Sequence, residues 1–189
     1  MQLTKYYDYR MHFKRSWTSA SGALMGMALF AKMVYYFGLT DISQCGFFEI
    51  LSSMALPALL CAGYVILLRF LKLNAPGIFA ILGAALYVLV MVDSIHSGGA
   101  VRIVLSLVAY LTAIFLLIAT VAGYMPDKIF VLAIGFLIPV FRLLLFDLAG
   151  WAAAAGMVGK LRFLTLSISN MAILAALFCL PMCMKPAQK

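Results

Sequence analysis

The chain has 189 residues, of which 66% are hydrophobic and 11% charged, with a formal net charge of +8 and a mean hydropathy of +1.11. Soluble domains carry about 45–50% apolar and about 25% charged residues, so the polar surface needed to coat a water-soluble globule is missing. This excludes a soluble enzyme, a disordered chain and a disulfide-stapled secreted module, and it predicts an integral membrane protein.

Residues 1–16 are polar, aromatic and basic, with Tyr6, Tyr7, Tyr9 and Phe13 set among Lys5, Arg10, Lys14 and Arg15. They read as a cytoplasmic tail, either solvated as a topology signal or lying on the membrane as an interfacial helix. The apolar run that follows is too long for a signal-peptide core and has no convincing small-residue cleavage site after it, so it is expected to be retained. Six runs reach the length of a helical span, which takes about 20 apolar residues. They are Trp17–Leu39, Phe47–Phe70, Pro76–Val92, Val101–Tyr124, Ile129–Leu148 and Leu161–Met184. None shows the polar–apolar alternation of a membrane barrel strand. Turn signals at Asn74-Ala-Pro76, Ser97-Gly-Gly99 and Met125-Pro-Asp127 keep the connections short. The expectation is one all-α domain over 17–184, a compact six-helix transmembrane bundle, followed by a short basic tail at 185–189.

Orientation follows from Lys and Arg in the connections. One side would hold Lys5, Arg10, Lys14, Arg15, Arg69, Lys72, Lys128, Lys185 and Lys189; the other holds only Arg102, Lys160 and Arg162. This imbalance predicts that both termini are cytoplasmic. The positive charge is then a topology signal and an attraction to anionic lipid. It is no nucleic-acid footprint, because the basic residues are dispersed among apolar spans.

The four cysteines, Cys45, Cys61, Cys179 and Cys183, offer no outer pair for a disulfide and no metal-ligand spacing. They read as small packing residues. His12 and His96 fall near opposite faces of the membrane and share no ligand sphere. No nucleophile elbow, phosphate loop, paired metal-binding histidines or dinucleotide fingerprint occurs. The chain is therefore expected to be no enzyme, with no cofactor and no metal.

Ionisable residues inside spans are costly and point to function. With the orientation above, Lys32 lies about 20 Å from the cytoplasmic boundary at ~1.5 Å per residue, and Arg142 at a similar height. Glu49, Asp93 and Asp147 fall near the outer boundary, and Thr165, Ser167, Ser169 and Asn170 in the outer half to middle of the last span. Two readings stand. In one, Lys32 and Arg142 line an outward-facing pocket for a polar or anionic solute, completed by Glu49, Ser167 and Asn170. In the other, Lys32 pairs with Glu49 across the first hairpin, and Arg142 pairs with an acid or snorkels to the headgroups. Arg142 and Asp147 are about 140° apart around a helix, so Arg142 needs its partner from another helix or a ligand.

Pro57 and Pro139 interrupt the second and fifth spans. Corresponding breaks would suit an inverted repeat around a transporter site, although their flanking sequences barely agree. Gly22 and Gly26 form a small-xxx-small face suited either to packing inside the bundle or to docking a partner subunit. Gly150-Trp-Ala-Ala-Ala-Ala-Gly156 reads as a re-entrant helix, a cap or plain connection.

In size, span count and the Gly22/Gly26 face, the chain resembles the substrate-capturing S components of energy-coupling-factor transporters. That resemblance implies an outward-facing pocket and a partner docked on helix one. It carries over no functional residue, since none of that family's sequence features is present, and a shared architecture does not set a function. The leading expectation is a small transport component of a prokaryotic cytoplasmic membrane, working with a partner membrane subunit or ATPase complex. The alternatives are an accessory subunit acting through helix contacts and, further off, a small permease half.

Overall fold

The computed structural model describes residues 9–11, 13, 15–95, 104, 111 and 148–186. Nearly all of them are helical. Helix α1 runs over Arg15–Leu39, α2 over Phe47–Phe70, α3 over Pro76–Ile95, α4 over Leu148–Ala153 and α5 over Gly156–Cys179. Three of these, α1, α2 and α5, are long and apolar enough to cross a membrane, and α3 carries a shorter apolar stretch over Pro76–Val90. The predicted spans Val101–Tyr124 and Ile129–Leu148 lie almost wholly outside the described residues.

Helix ends follow from local chemistry. Beyond α1 the backbone turns extended at Thr40 (φ −113°, ψ 136°), and Gly46 is extended again before α2 (φ −69°, ψ 152°). Lys72 closes α2 with φ 47°, and the Leu73 N–H folds back to the Leu67 carbonyl at 3.0 Å. Pro76 opens α3, a position where its missing N–H leaves no helical bond unmade. The last helix corrects the predicted span Leu161–Met184. It begins five residues earlier, where Gly156 takes φ +69°, and stops at Cys179, short of Pro181, which has no N–H to donate. The segment Gly150–Gly156 is also resolved by this: its first half completes α4, which lies against α5.

Helix α2 contains Pro57 and answers it with a wider turn. Residues Ile50–Ala55 form a π turn, after which α geometry resumes at Leu56 and Pro57 is buried. A second π turn ends α1 at Val34–Leu39, and a third ends α2 at Ile66–Phe70. Single π turns are uncommon and mark places where a regular helix has been re-aimed.

The core is an antiparallel seam between α1 and α5, with α2 and α3 against it. The buried stripe of α1 is Thr18, Ser21, Gly22, Met25, Ala28, Ala31 and Lys32, at the three-and-four spacing of one helix face. Small residues there let the two backbones come close, which is how helices associate without a hydrophobic drive. Ser169 Oγ donates to the Ala28 carbonyl at 2.9 Å, and Ser21 Oγ donates to the Ala176 carbonyl at 2.8 Å. Both bonds specify the same antiparallel register. Tyr64 of α2 joins this seam through its hydroxyl, 2.6 Å from Ser21 Oγ, while its ring meets Phe79 of α3 edge-on at 5.4 Å. Large apolar side chains point the other way: Phe30 is 68% exposed, Phe37 65%, Leu59 68% and Phe70 77%. That inside-out distribution suits a lipid surround.

Residues 9–11 do not form the interfacial helix that was one expectation. Tyr9–Met11 pairs antiparallel with Met184–Pro186 in a short two-stranded ribbon, Tyr9 opposite Pro186 and Met11 opposite Met184. The two ends of the described chain therefore lie together at one end of the bundle, called here the terminal end. The opposite end holds Leu39, whose carbonyl accepts from Arg162 Nε at the start of α5.

Candidate functional site

The polar residues singled out from sequence separate into distinct places. Lys32, on α1, is 2% exposed although it carries a charge inside an apolar helix. It stands at a groove of about 270 Å³ between α1 and α2, whose other lining is Leu29, Met33, Phe37, Met54, Ala58, Leu59 and Ala62. The π turn at Ile50–Ala55 and the buried Pro57 lie on the α2 side of this groove. Among the described lining residues Lys32 is the one charged group, and the others are apolar.

Glu49 is exposed at the start of α2, five residues before Met54 of the groove lining. Arg142 lies outside the described residues.

Ser167 and Asn170 are buried on α5, at 9% and 0% exposure. The Asn170 amide is the more informative of the two. Neither its Oδ1 nor its Nδ2 has a hydrogen-bond partner among the described residues, although both atoms are shielded. An unmet buried amide costs about 1–3 kcal/mol, and such groups call for a specific explanation. Its neighbour Ser169 bonds to Ala28, and Lys32 is one turn beyond Ala28 on α1. The Asn170 amide and the Lys32 ammonium are therefore held within about one to two helical turns of each other in height by the same α1–α5 register.

The two glycines expected to share a docking face differ. A Cβ on Gly22 would come 2.9 Å from Cγ and 3.0 Å from Cδ of Arg69, so Gly22 makes room for that side chain, which reaches across to Ser19 Oγ. Among the described residues a Cβ on Gly26 would meet nothing within 4 Å. One glycine is used inside the bundle and the other is open.

Above the groove, the loop after α1 is ordered by Asp41. Its carboxylate accepts from the Ser43 hydroxyl at 2.7 Å, the Ser43 N–H at 3.2 Å and Gln44 Nε2 at 3.1 Å. These bonds, with the Ser43 hydroxyl foremost, hold its carboxyl below the usual aspartate range. The cap over α5 is pinned by Gly150, where a Cβ would fall 2.0 Å from Phe163 Cζ, and by Lys160 Nζ lying 4.9 Å from the Trp151 ring centre. Cys61 and Cys183 are buried in the core, and all four cysteines are free thiols. Among the described residues no three of His, Cys, Asp and Glu come together as a metal site.

Ser21 and Tyr64 were not singled out from sequence, yet they join three helices. The available signal was a serine inside an apolar run, at the same helix face as Gly22 and Met25. Comparison with family models, curated proteins and solved structures returned no match. The architectural resemblance to transporter S components therefore carries no support from fold comparison, and the reading of function rests on these residues.

Proposed function

We propose that this chain is the solute-capturing component of a membrane transporter, taking a small polar or anionic solute at a polar centre made by Lys32 and Asn170. The observation that carries the reading is Asn170: an amide buried and without a hydrogen-bond partner among the described residues, one to two helical turns in height from a buried lysine that lines an apolar groove. A carboxylate or polar head in the groove would meet Lys32, while Leu29, Phe37 and Met54 would cover its apolar part; Asn170 lies outside the groove's lining, and its reach to the solute is part of the proposal. Ser167 and Arg142 belong to the same proposal as further hydrogen-bonding groups, and Glu49, exposed at the start of α2, is assigned to its mouth.

Six spans with both termini in the cytoplasm fit this role. Helix α3 runs antiparallel to α2 and α4 packs at the start of α5, so residues 95 and 148 both lie at the Leu39 end. The apolar runs Val101–Tyr124 and Ile129–Leu148 are counted as two of the six proposed spans. The Lys and Arg imbalance assigns the terminal end to the cytoplasm and turns the Lys32 groove outward, in a prokaryotic cytoplasmic membrane.

A second reading, an accessory subunit acting through helix contacts, is favoured by Gly26 alone, whose open face leaves room for a partner helix. The two readings part on solute binding. Lys32→Met should lower solute retention by about ten- to a hundredfold, the worth of a charged hydrogen bond, while Gly26→Leu should release a partner subunit and spare the solute. Unchanged retention in Lys32→Met would remove the transport reading.

A further inference from the structure

We infer that a second site, at the terminal end of the bundle, binds the phosphate of an anionic phospholipid. A crevice of about 180 Å³ opens there between the start of α1 and the end of α2, lined by Phe13, Arg15, Thr18, Leu68, Arg69 and Lys72. Three cations, from the start of α1 and the end of α2 with the turn after it, converge on it, and no carboxylate is among its described lining residues. Like charges brought together without a counter-charge repel, so an arrangement of this kind favours an anion.

The shape of the lining selects a lipid. Arg15 is the first residue of one membrane-length helix, and Arg69 is next to the last residue of another, so the crevice sits at the level where two apolar helices end. Headgroup phosphates occupy that level. Phe13 and Leu68 give the crevice an apolar half, and Phe70 and Leu71, at 77% and 65% exposure, present an apolar flank beside it on which an acyl chain can lie. Trp17, 39% exposed one turn into α1, is the kind of aromatic that sits at the headgroup boundary.

The arginines divide the work. Arg69 is held by Ser19 Oγ and by the space that Gly22 leaves, so it is a preset fork suited to two phosphate oxygens. Arg15 and Lys72 are exposed and close on the anion from either side. Lys72 occupies a left-handed position, φ 47°, where glycine or asparagine is usual at a helix end. Lys72→Gly therefore removes the cation at a position whose backbone conformation glycine adopts more easily, and it should leave the fold intact. This site is independent of the transport reading, since it uses none of the groove residues.

The test is native mass spectrometry of the full chain released from nanodiscs of mixed phosphatidylglycerol and phosphatidylcholine. The wild type should retain phosphatidylglycerol over phosphatidylcholine. Lys72→Gly should lose about fivefold of that preference, and the Arg15→Gln/Lys72→Gly pair a further fivefold, as expected per basic residue at an anionic surface. Lys160→Gln, a charge removed at the opposite end, should retain the lipid as the wild type does. Equal retention of the two lipids by the wild type, an undiminished preference in the double variant, or an equal loss in Lys160→Gln would each overturn the proposal. Displacement of the lipid by millimolar glycerol 3-phosphate, with the free ester itself bound, would also overturn it by giving the crevice to a soluble phosphate ester.

Discussion

Helix α1 has two neighbours and treats them differently. Toward α5 it presents small residues and serines, and the contact is closed: Ser21, Met25, Ala28 and Ser169 are fully buried, with each serine bonded across to the facing backbone. Toward the Leu39 half of α2 it presents Leu29, Lys32, Met33 and Phe37, and the contact opens into a groove. The difference traces to α2, whose buried Pro57 and π turn at Ile50–Ala55 interrupt the regular ladder that a flush contact would use. One face of α1 holds the bundle in register. The buried stripe that does so ends at Lys32, where the contact with α2 opens into the groove.

Changes on the closed face should act on stability, and the largest should come from Gly22. A methyl there would have to displace Arg69, so Gly22→Leu is expected to lower unfolding stability by about 1–3 kcal/mol, the ordinary penalty for overpacking. Gly26→Ala, with nothing within 4 Å among the described residues, should be neutral or gain about 0.5–1 kcal/mol from helix propensity. Thermal unfolding in detergent separates the two; equal losses would mean that both glycines are buried in one and the same contact.

A middle-sized effect is expected from the three-helix bond. Tyr64→Phe should cost about 0.6 kcal/mol, and at most ~1.7, the range for hydrogen bonds between membrane helices. Because Ser21 still bonds to the Ala176 carbonyl, Ser21→Ala should cost more than Tyr64→Phe. The reverse order would place the weight on the α2 contact and not on the α1–α5 seam.

The smallest effect concerns the loop after α1. Asp41 titrates below its ordinary value because Ser43 and Gln44 donate to it. A depressed carboxyl adds order that is present above the unfolded value, about pH 3.9, and is lost as pH falls through the folded one. Hydrogen exchange of residues 41–45 should accelerate, relative to the rest of the protein, as acid passes that range, and Asp41→Asn should abolish the pH dependence. A loop unaffected by acid in the native protein would mean that these bonds do not order it.

Much of the fold was legible in the residues. The ends of α2 match the predicted Phe47–Phe70, because Gly46 before it and the Asn74-Ala-Pro76 turn after it are strong local signals. The start of α5 was missed because Gly156 and Gly159 weaken the apolar run in which the helix is in fact already formed. Nothing local foretold the ribbon of Tyr9–Met11 with Met184–Pro186, a pairing of segments at opposite ends of the chain. For the site, hydropathy picked out Lys32 and Asn170 as polar residues in apolar runs. It could not tell Gly22 from Gly26, since that difference lies in the distant Arg69.

The central claim is that Asn170 is left unpartnered for the sake of a ligand. Asn170→Leu measures this most directly, by thermal unfolding and by native mass spectrometry of the protein extracted gently from its own membrane. An amide that serves only a solute should give a variant about 1–3 kcal/mol more stable that no longer carries the small polar or anionic species found on the wild type. A variant that is less stable, or that carries the same species as the wild type, would contradict the account and make Asn170 part of the packing.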